Sequence, residues 1–129
     1  MFDFNKKKIL ITGASGGIGR DLVKKFVSLG GDVLGSGTKA EKLDSIKKQY
    51  PSIKVKKFDI SEHSRTEEFI DNAALELGGL DILINNAGTN MDNLSLRMKV
   101  DDWKKVIDVN LTSTFLLSKY AIKKMLKNK

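Results

Sequence analysis

The run Ile9-Leu10-Ile11-Thr12-Gly13-Ala14-Ser15-Gly16-Gly17-Ile18-Gly19-Arg20 constrains this chain more than any other segment. An apolar strand leads into a glycine-rich turn, and an amphipathic pattern follows. Each glycine answers a geometric demand. Gly13 lets the chain turn sharply out of the strand. Gly17 lets the backbone come within contact distance of a ligand, and Gly19 lets the next helix pack close to the strand. The start of that helix offers unpaired N–H groups and the positive end of its dipole, which suits phosphate. Strand, glycine turn and helix in this order form the context in which such a loop reads as a nucleotide site.

The remaining chain alternates strand and helix. The patterning predicts strands over 8–12, 33–36, 53–58 and 80–84, and helices over 18–29, 40–49, 65–77 and 100–127. Ile18, Leu22, Phe26 and Leu29 mark the expected core face of the first helix. Gly30-Gly31 and Gly78-Gly79 supply C-terminal caps, and Pro51 stops the second helix. Strands separated by helices imply βαβ units, hence an α/β, Rossmann-like doubly wound parallel sheet of order 3-2-1-4. Its ligand crevice lies at the carboxyl ends of the strands, so residues just after each strand are functional candidates.

The glycine spacing here is Thr-Gly-x-x-x-Gly-x-Gly, and Asn85-Asn86-Ala87-Gly88 follows the fourth strand. Both strings, at this separation, resemble the short-chain dehydrogenase/reductase family. The resemblance implies a nicotinamide dinucleotide cofactor held by Gly13, Ser15, Gly16, Gly17, Ile18 and Gly19, with Asn85 bracing the sheet. It places Asn86, Ala87 and Gly88 beside the cofactor. Asp59 and Ile60, after the third strand, are the positions that meet adenine; the alternative for Asp59 is a turn-starting role. An NAD site ordinarily has an acid about 20 residues past the glycine loop. Gly37 stands at that place, no acid occurs from Val33 to Ala40, and Thr38 and Lys39 follow. This points to NADP (NADPH) rather than NAD, although Gly16 holds a loop position that is basic in many NADP-dependent relatives.

Asp92-Asn93-Leu94-Ser95-Leu96-Arg97-Met98 and the stretch from Trp103 to Leu111 resemble a narrower group, the bacterial 3-oxoacyl-[acyl-carrier-protein] reductases. Thr89-Asn90-Met91 departs from that group's usual Ile-Thr-Arg. Asn110 matches the asparagine of the family's catalytic tetrad, which the resemblance implies distorts its helix and holds a water in the proton relay; apart from the resemblance, an asparagine inside a helix reads as a helix irregularity. The resemblance covers essentially the whole chain. The family's catalytic Ser and Tyr-x-x-x-Lys have no counterpart before Lys129. Residues 1–129 are therefore expected to form a partial NAD(P)-binding Rossmann domain, truncated before the fifth strand and inactive alone. Tyr50…Lys54 and Tyr120…Lys124 repeat the spacing but read as decoys. Pro51 breaks a helix at the first, and the second shares a helix with Asn110.

Composition sets the outer limits. With 129 residues the chain is one domain at most, long enough to bury a core. It has no cysteine for disulfide or thiol chemistry, no apolar run near ~20 residues and no signal-peptide pattern, so a cytoplasmic location without membrane contact is expected. The net charge of +7 is spread along the chain rather than interleaved with aromatics, which argues against nucleic acid. A scattered lysine surface favours anionic ligands such as nucleotide phosphates or an acidic carrier protein. His63 has no partner histidine or cysteine, so no metal is expected. Leu111, Phe115, Ile122, Met125 and Leu126 form an apolar stripe, ordinarily core; in the family the matching helix also packs on its copy in a homo-oligomer. The implied substrate is an acyl thioester on acyl carrier protein. A non-catalytic dinucleotide-binding module, and a reductase of acyl-coenzyme A (acetoacetyl-CoA) or a sugar, remain as alternatives.

Overall fold

Aliphatic residues at both alternating positions of the first strand require burial on two faces, and the chain supplies a helical layer for each. The computed structural model describes residues 3–88 and 99–127. The elements are β1 (Lys8–Thr12), α1 (Gly17–Ser28), β2 (Asp32–Gly37), α2 (Ala40–Gln49), β3 (Lys54–Lys57), a 3-10 turn (His63–Arg65), α3 (Thr66–Leu77), β4 (Ile82–Ile84), α4 (Val100–Ile107), a π-helical turn (Asp108–Thr112) and α5 (Ser113–Lys127). The strands form one parallel sheet ordered β3-β2-β1-β4. Leu10 pairs with Leu34 on one side and Leu83 on the other.

Burial splits by strand parity. Ile9, Ile11 and Val33 face α1 and α2 with Val23 and Ile46, while Leu10 and Leu34 face α3 and α5 with Ile70, Leu77 and Leu117. Phe58 and Phe69 stack with centroids 4.1 Å apart in the second of these layers. The predicted caps form: Gly30 and Gly78 adopt φ of +85° and +80°, and Gly79 N–H closes on the Ala74 carbonyl at 2.8 Å.

Three expectations need correction. The core face of α1 is Gly19 and Val23, with Leu22 and Phe26 half-buried, whereas Ile18 is 71% exposed at the helix start. The close approach that Gly19 permits rotates the helix onto that face. The helix expected over 100–127 is interrupted by the π turn, which adds a residue to one turn and re-aims the side chains around it. On α5 the core takes Ser113, Leu117 and Ala121, with Met125 half-buried. Leu111, Phe115, Ile122 and Leu126, expected inside, are exposed. The segment 89–98, including the predicted Asp92–Met98 match, lies outside the described residues.

Candidate functional site

The ends of β1 and β4 are sewn together by one hydroxyl. Thr12, the only polar residue of an otherwise aliphatic strand end, donates from Oγ1 to the Ile84 carbonyl at 3.3 Å. It accepts from the N–H groups of Asn86 and Ala87 at 3.1 and 3.0 Å. The Asn86 amide then donates to the Gly13 carbonyl at 3.0 Å. The loop 85–88 is thereby locked against the glycine turn. Asn85 reaches the other way, to Ser118 Oγ at 3.2 Å. Gly13 has φ +66°, and a Cβ there would stand 2.8 Å from Ala87 Cα; one at Gly19 would stand 2.0 Å from the Gly13 carbonyl oxygen. These two glycines are required by the fold. Gly17 is different: a Cβ there meets nothing within 4 Å, because the space beside it is the cleft.

That cleft encloses about 670 Å³ at the carboxyl ends of the strands. Gly13, Ser15, Gly16, Gly17, Ile18, Gly19, Thr38, Asp59, Ile60, Asn86, Ala87 and Gly88, all singled out from sequence, lie along its wall. Asn110 does not line it. It sits behind Gly88, where its Oδ1 would be 2.7 Å from any Cβ at position 88. The wall also includes Ser36, Gly37, Phe58, Ser61, Lys105 and Val109. Apart from Gly37, none of these was nominated from sequence: Ser36, Phe58 and Ser61 adjoin nominated positions on β2 and in the loop after β3, while Lys105 and Val109 come from α4 and the π turn, which reach the cleft through tertiary packing.

Charge in the cleft is sparse. Asp59 and Lys105 are the only charged residues among those described along the wall; Lys39, the cation expected from sequence, is the exposed N-cap of α2 and is not on that wall. Asp59 Oδ1 accepts from Ser61 Oγ at 2.7 Å and Ser61 N–H at 2.9 Å, a turn-forming arrangement. These bonds, the hydroxyl first, hold its carboxyl below the usual value; Lys105 adds to the effect and burial opposes it.

The cleft fits a phosphate-bearing ligand. No side chain caps α1, so its first N–H groups face the open space at Gly17. Ser36 Oγ is buried at the cleft floor with no hydrogen-bond partner among the described residues, an orphan that a bound polar group or water would satisfy.

The tyrosines lie elsewhere. Tyr50 ends α2 while Lys54 begins β3, so this pair shares no helix. Tyr120 packs against the α3–α5 core, with Lys124 paired to Asp71 at 2.8 Å. His63 contacts Ser113 and Asp108, and no metal-binding cluster occurs among the described residues. No described helix is long and apolar enough to cross a membrane.

Residues 7–129 match the short chain dehydrogenase family. The chain is 40% identical over 130 residues to a 3-oxoacyl-[acyl-carrier-protein] reductase FabG from Rickettsia conorii, covering 100% of this chain and 52% of that protein. It is 38% identical over 128 residues to the protein of the same name from Salmonella typhimurium, covering 98% and 52%. A crystal structure of a short-chain dehydrogenase/reductase (glucose/ribitol dehydrogenase) from Brucella melitensis superposes with TM-score 0.88 at 30% identity, over 96% of this chain and 54% of that one. The chain thus spans about half the length of the curated relatives it matches.

Proposed function

Because the chain belongs to the short-chain dehydrogenase family, we propose that it is the cofactor-binding half of an NADPH-dependent reductase of 3-oxoacyl thioesters carried on acyl carrier protein. The observation that carries the reading is the gathering of twelve sequence-nominated residues along one cleft at the strand ends. There the sheet order reverses between β1 and β4, the position where doubly wound folds bind nucleotides. The names of the matched relatives supply the substrate class.

In this reading the uncapped start of α1 and the open flank of Gly17 receive the pyrophosphate. Asn86, Ala87 and Gly88 form the floor, and Asp59 and Ile60 form the adenine wall. Lack of an acid at Gly37, with Thr38 alongside, admits a 2′-phosphate. Lys105 is the cation on the wall, the role that sequence alone gave to Lys39. The cofactor, when bound, supplies hydride. Asn110, seated against Gly88, belongs to the proton-relay side of the site. The cleft wall described here carries no tyrosine or histidine, so the short chain binds cofactor without turning over. General acid catalysis and carbonyl polarisation are each worth about two or more orders of magnitude in rate.

The test is NADPH fluorescence titration of this chain, then NADPH oxidation with a 3-oxoacyl thioester by a form extended to the length of the relatives. NADPH binding by both and turnover by the extended form alone are expected. Failure to bind NADPH refutes the reading. Turnover by the short form that Tyr120→Phe abolishes refutes the inactive assignment.

A further inference from the structure

We infer that His63, the chain's single histidine, is a positioning residue: it clamps the loop that walls the cleft onto the helical turn that carries Asn110. In doing so it fixes the seat of the adenosine end of the cofactor, an inference that rests on the dinucleotide reading above.

The clamp is a chain of short contacts. Ser113, the first residue of α5, is fully buried, and its Oγ lies 2.7 Å from the Ile60 carbonyl and 3.4 Å from the Asp108 carbonyl. The shorter contact takes the hydroxyl proton. The same oxygen is 3.0 Å from His63 Nε2 and has only lone pairs left to offer. Nε2 therefore carries the ring proton and donates. The other ring nitrogen, Nδ1, is 3.7 Å from Asp108 Oδ1 at the start of the π turn. His63 thus lies against the first residue of that turn and the residue that follows it.

The loop has little else to hold it by polar contacts. Asp59 bonds to Ser61, Glu62 N–H to the Asp59 carbonyl, and His63 N–H to the Ser61 carbonyl, all within the loop. Among the described residues, the two hydrogen bonds that leave residues 59–63 for a segment distant in sequence both end on Ser113. Ile60 lines the cleft from the loop and Val109 lines it from the π turn. The separation of these two walls is therefore set through Ser113, and His63 supplies the second of its two anchors to the loop. A serine or alanine at 63 could not span that distance while donating.

The test is calorimetric titration of the full chain with 2′-phospho-ADP-ribose, comparing wild type with His63→Ala, His63→Phe and His63→Gln. Loss of one part-buried hydrogen bond at the wall should weaken 2′-phospho-ADP-ribose about fivefold to tenfold in the Ala and Phe variants, with stoichiometry unchanged. The Gln side chain keeps an N–H donor and should restore affinity to within about twofold. Should the Ala variant fail to fold, the Phe–Gln comparison decides alone. Unchanged affinity in the Ala or Phe variant overturns the clamp. So does lost stoichiometry at constant affinity, which marks a folding role only, or a Gln variant as weak as Phe, which marks a volume effect. A wild-type chain that does not bind 2′-phospho-ADP-ribose refutes the dinucleotide reading and the clamp together.

Discussion

Replacing Gly37 by aspartate should invert the cofactor preference of the cleft. A Cβ at this position would lie 3.2 Å from Ser15 Oγ and 3.4 Å from Leu43 Cδ2, so the side chain enters at the price of a few tenths of an ångström of adjustment and extends along the wall shared with Thr38. On the dinucleotide reading proposed above, a carboxylate there would face the ribose of the adenosine half. With a 2′-phosphate about 5 Å away, like charges repel by roughly 1 kcal/mol per unit charge in water and roughly 3 kcal/mol at an effective dielectric near 20. The cleft is open to solvent, so about 1–2 kcal/mol is the reasoned magnitude, or about 5- to 30-fold weaker NADPH binding. NADH lacks that phosphate, and its 2′-hydroxyl can donate to the new acid. The steric cost is common to both cofactors, so the ratio of the two dissociation constants isolates the electrostatic part. Fluorescence titrations of wild type and Gly37→Asp with each cofactor, at low and high salt, measure it. The wild type should favour NADPH, and the variant's penalty should shrink with salt. A wild type indifferent to the 2′-phosphate, or a variant that loses both cofactors equally, refutes the reasoning.

Two neighbouring glycines should separate folding from binding. Gly19→Ala drives a methyl into the Gly13 carbonyl and should cost about 2–4 kcal/mol in chemical denaturation, while Gly17→Ala should keep its stability and lose NADPH affinity in titration. Asp59 has a folded-state pKa below its ordinary 3.8, so its stabilising contribution is complete above that pH and is lost as pH falls through the lower folded value. Acid unfolding followed by circular dichroism should therefore be steeper below pH 3.8 in wild type than in Asp59→Asn. The exposed row Leu111, Phe115, Ile122 and Leu126 should drive concentration-dependent association. Sedimentation should show Phe115→Glu shifted toward monomer, and a wild type that is monomeric at high concentration contradicts the expectation.

The sequence by itself determined the sheet and its order, because aliphatic runs, glycine caps and the alternation of two periodicities leave one economical topology. The twelve residues nominated from sequence also share one cleft, since the glycine turn and the residues directly after strands fall at the same end of the sheet. Tertiary structure alone decided what the helices contribute. Lys105 and Val109 reach the cleft only because α4 and the π turn fold over it; Asn110 in the helix interior marked an irregularity at that turn, but not where the turn would aim the side chains around it. On α5, Leu117 and Ala121 turn inward and Phe115 outward, and of the expected stripe only Met125 packs on the core. Apolar spacing records which residues share a face and is silent on which face meets the core. His63 shows the same limit: in sequence it is a lone histidine in a polar stretch, and only the approach of Ser113, fifty residues away, gives its ring a partner.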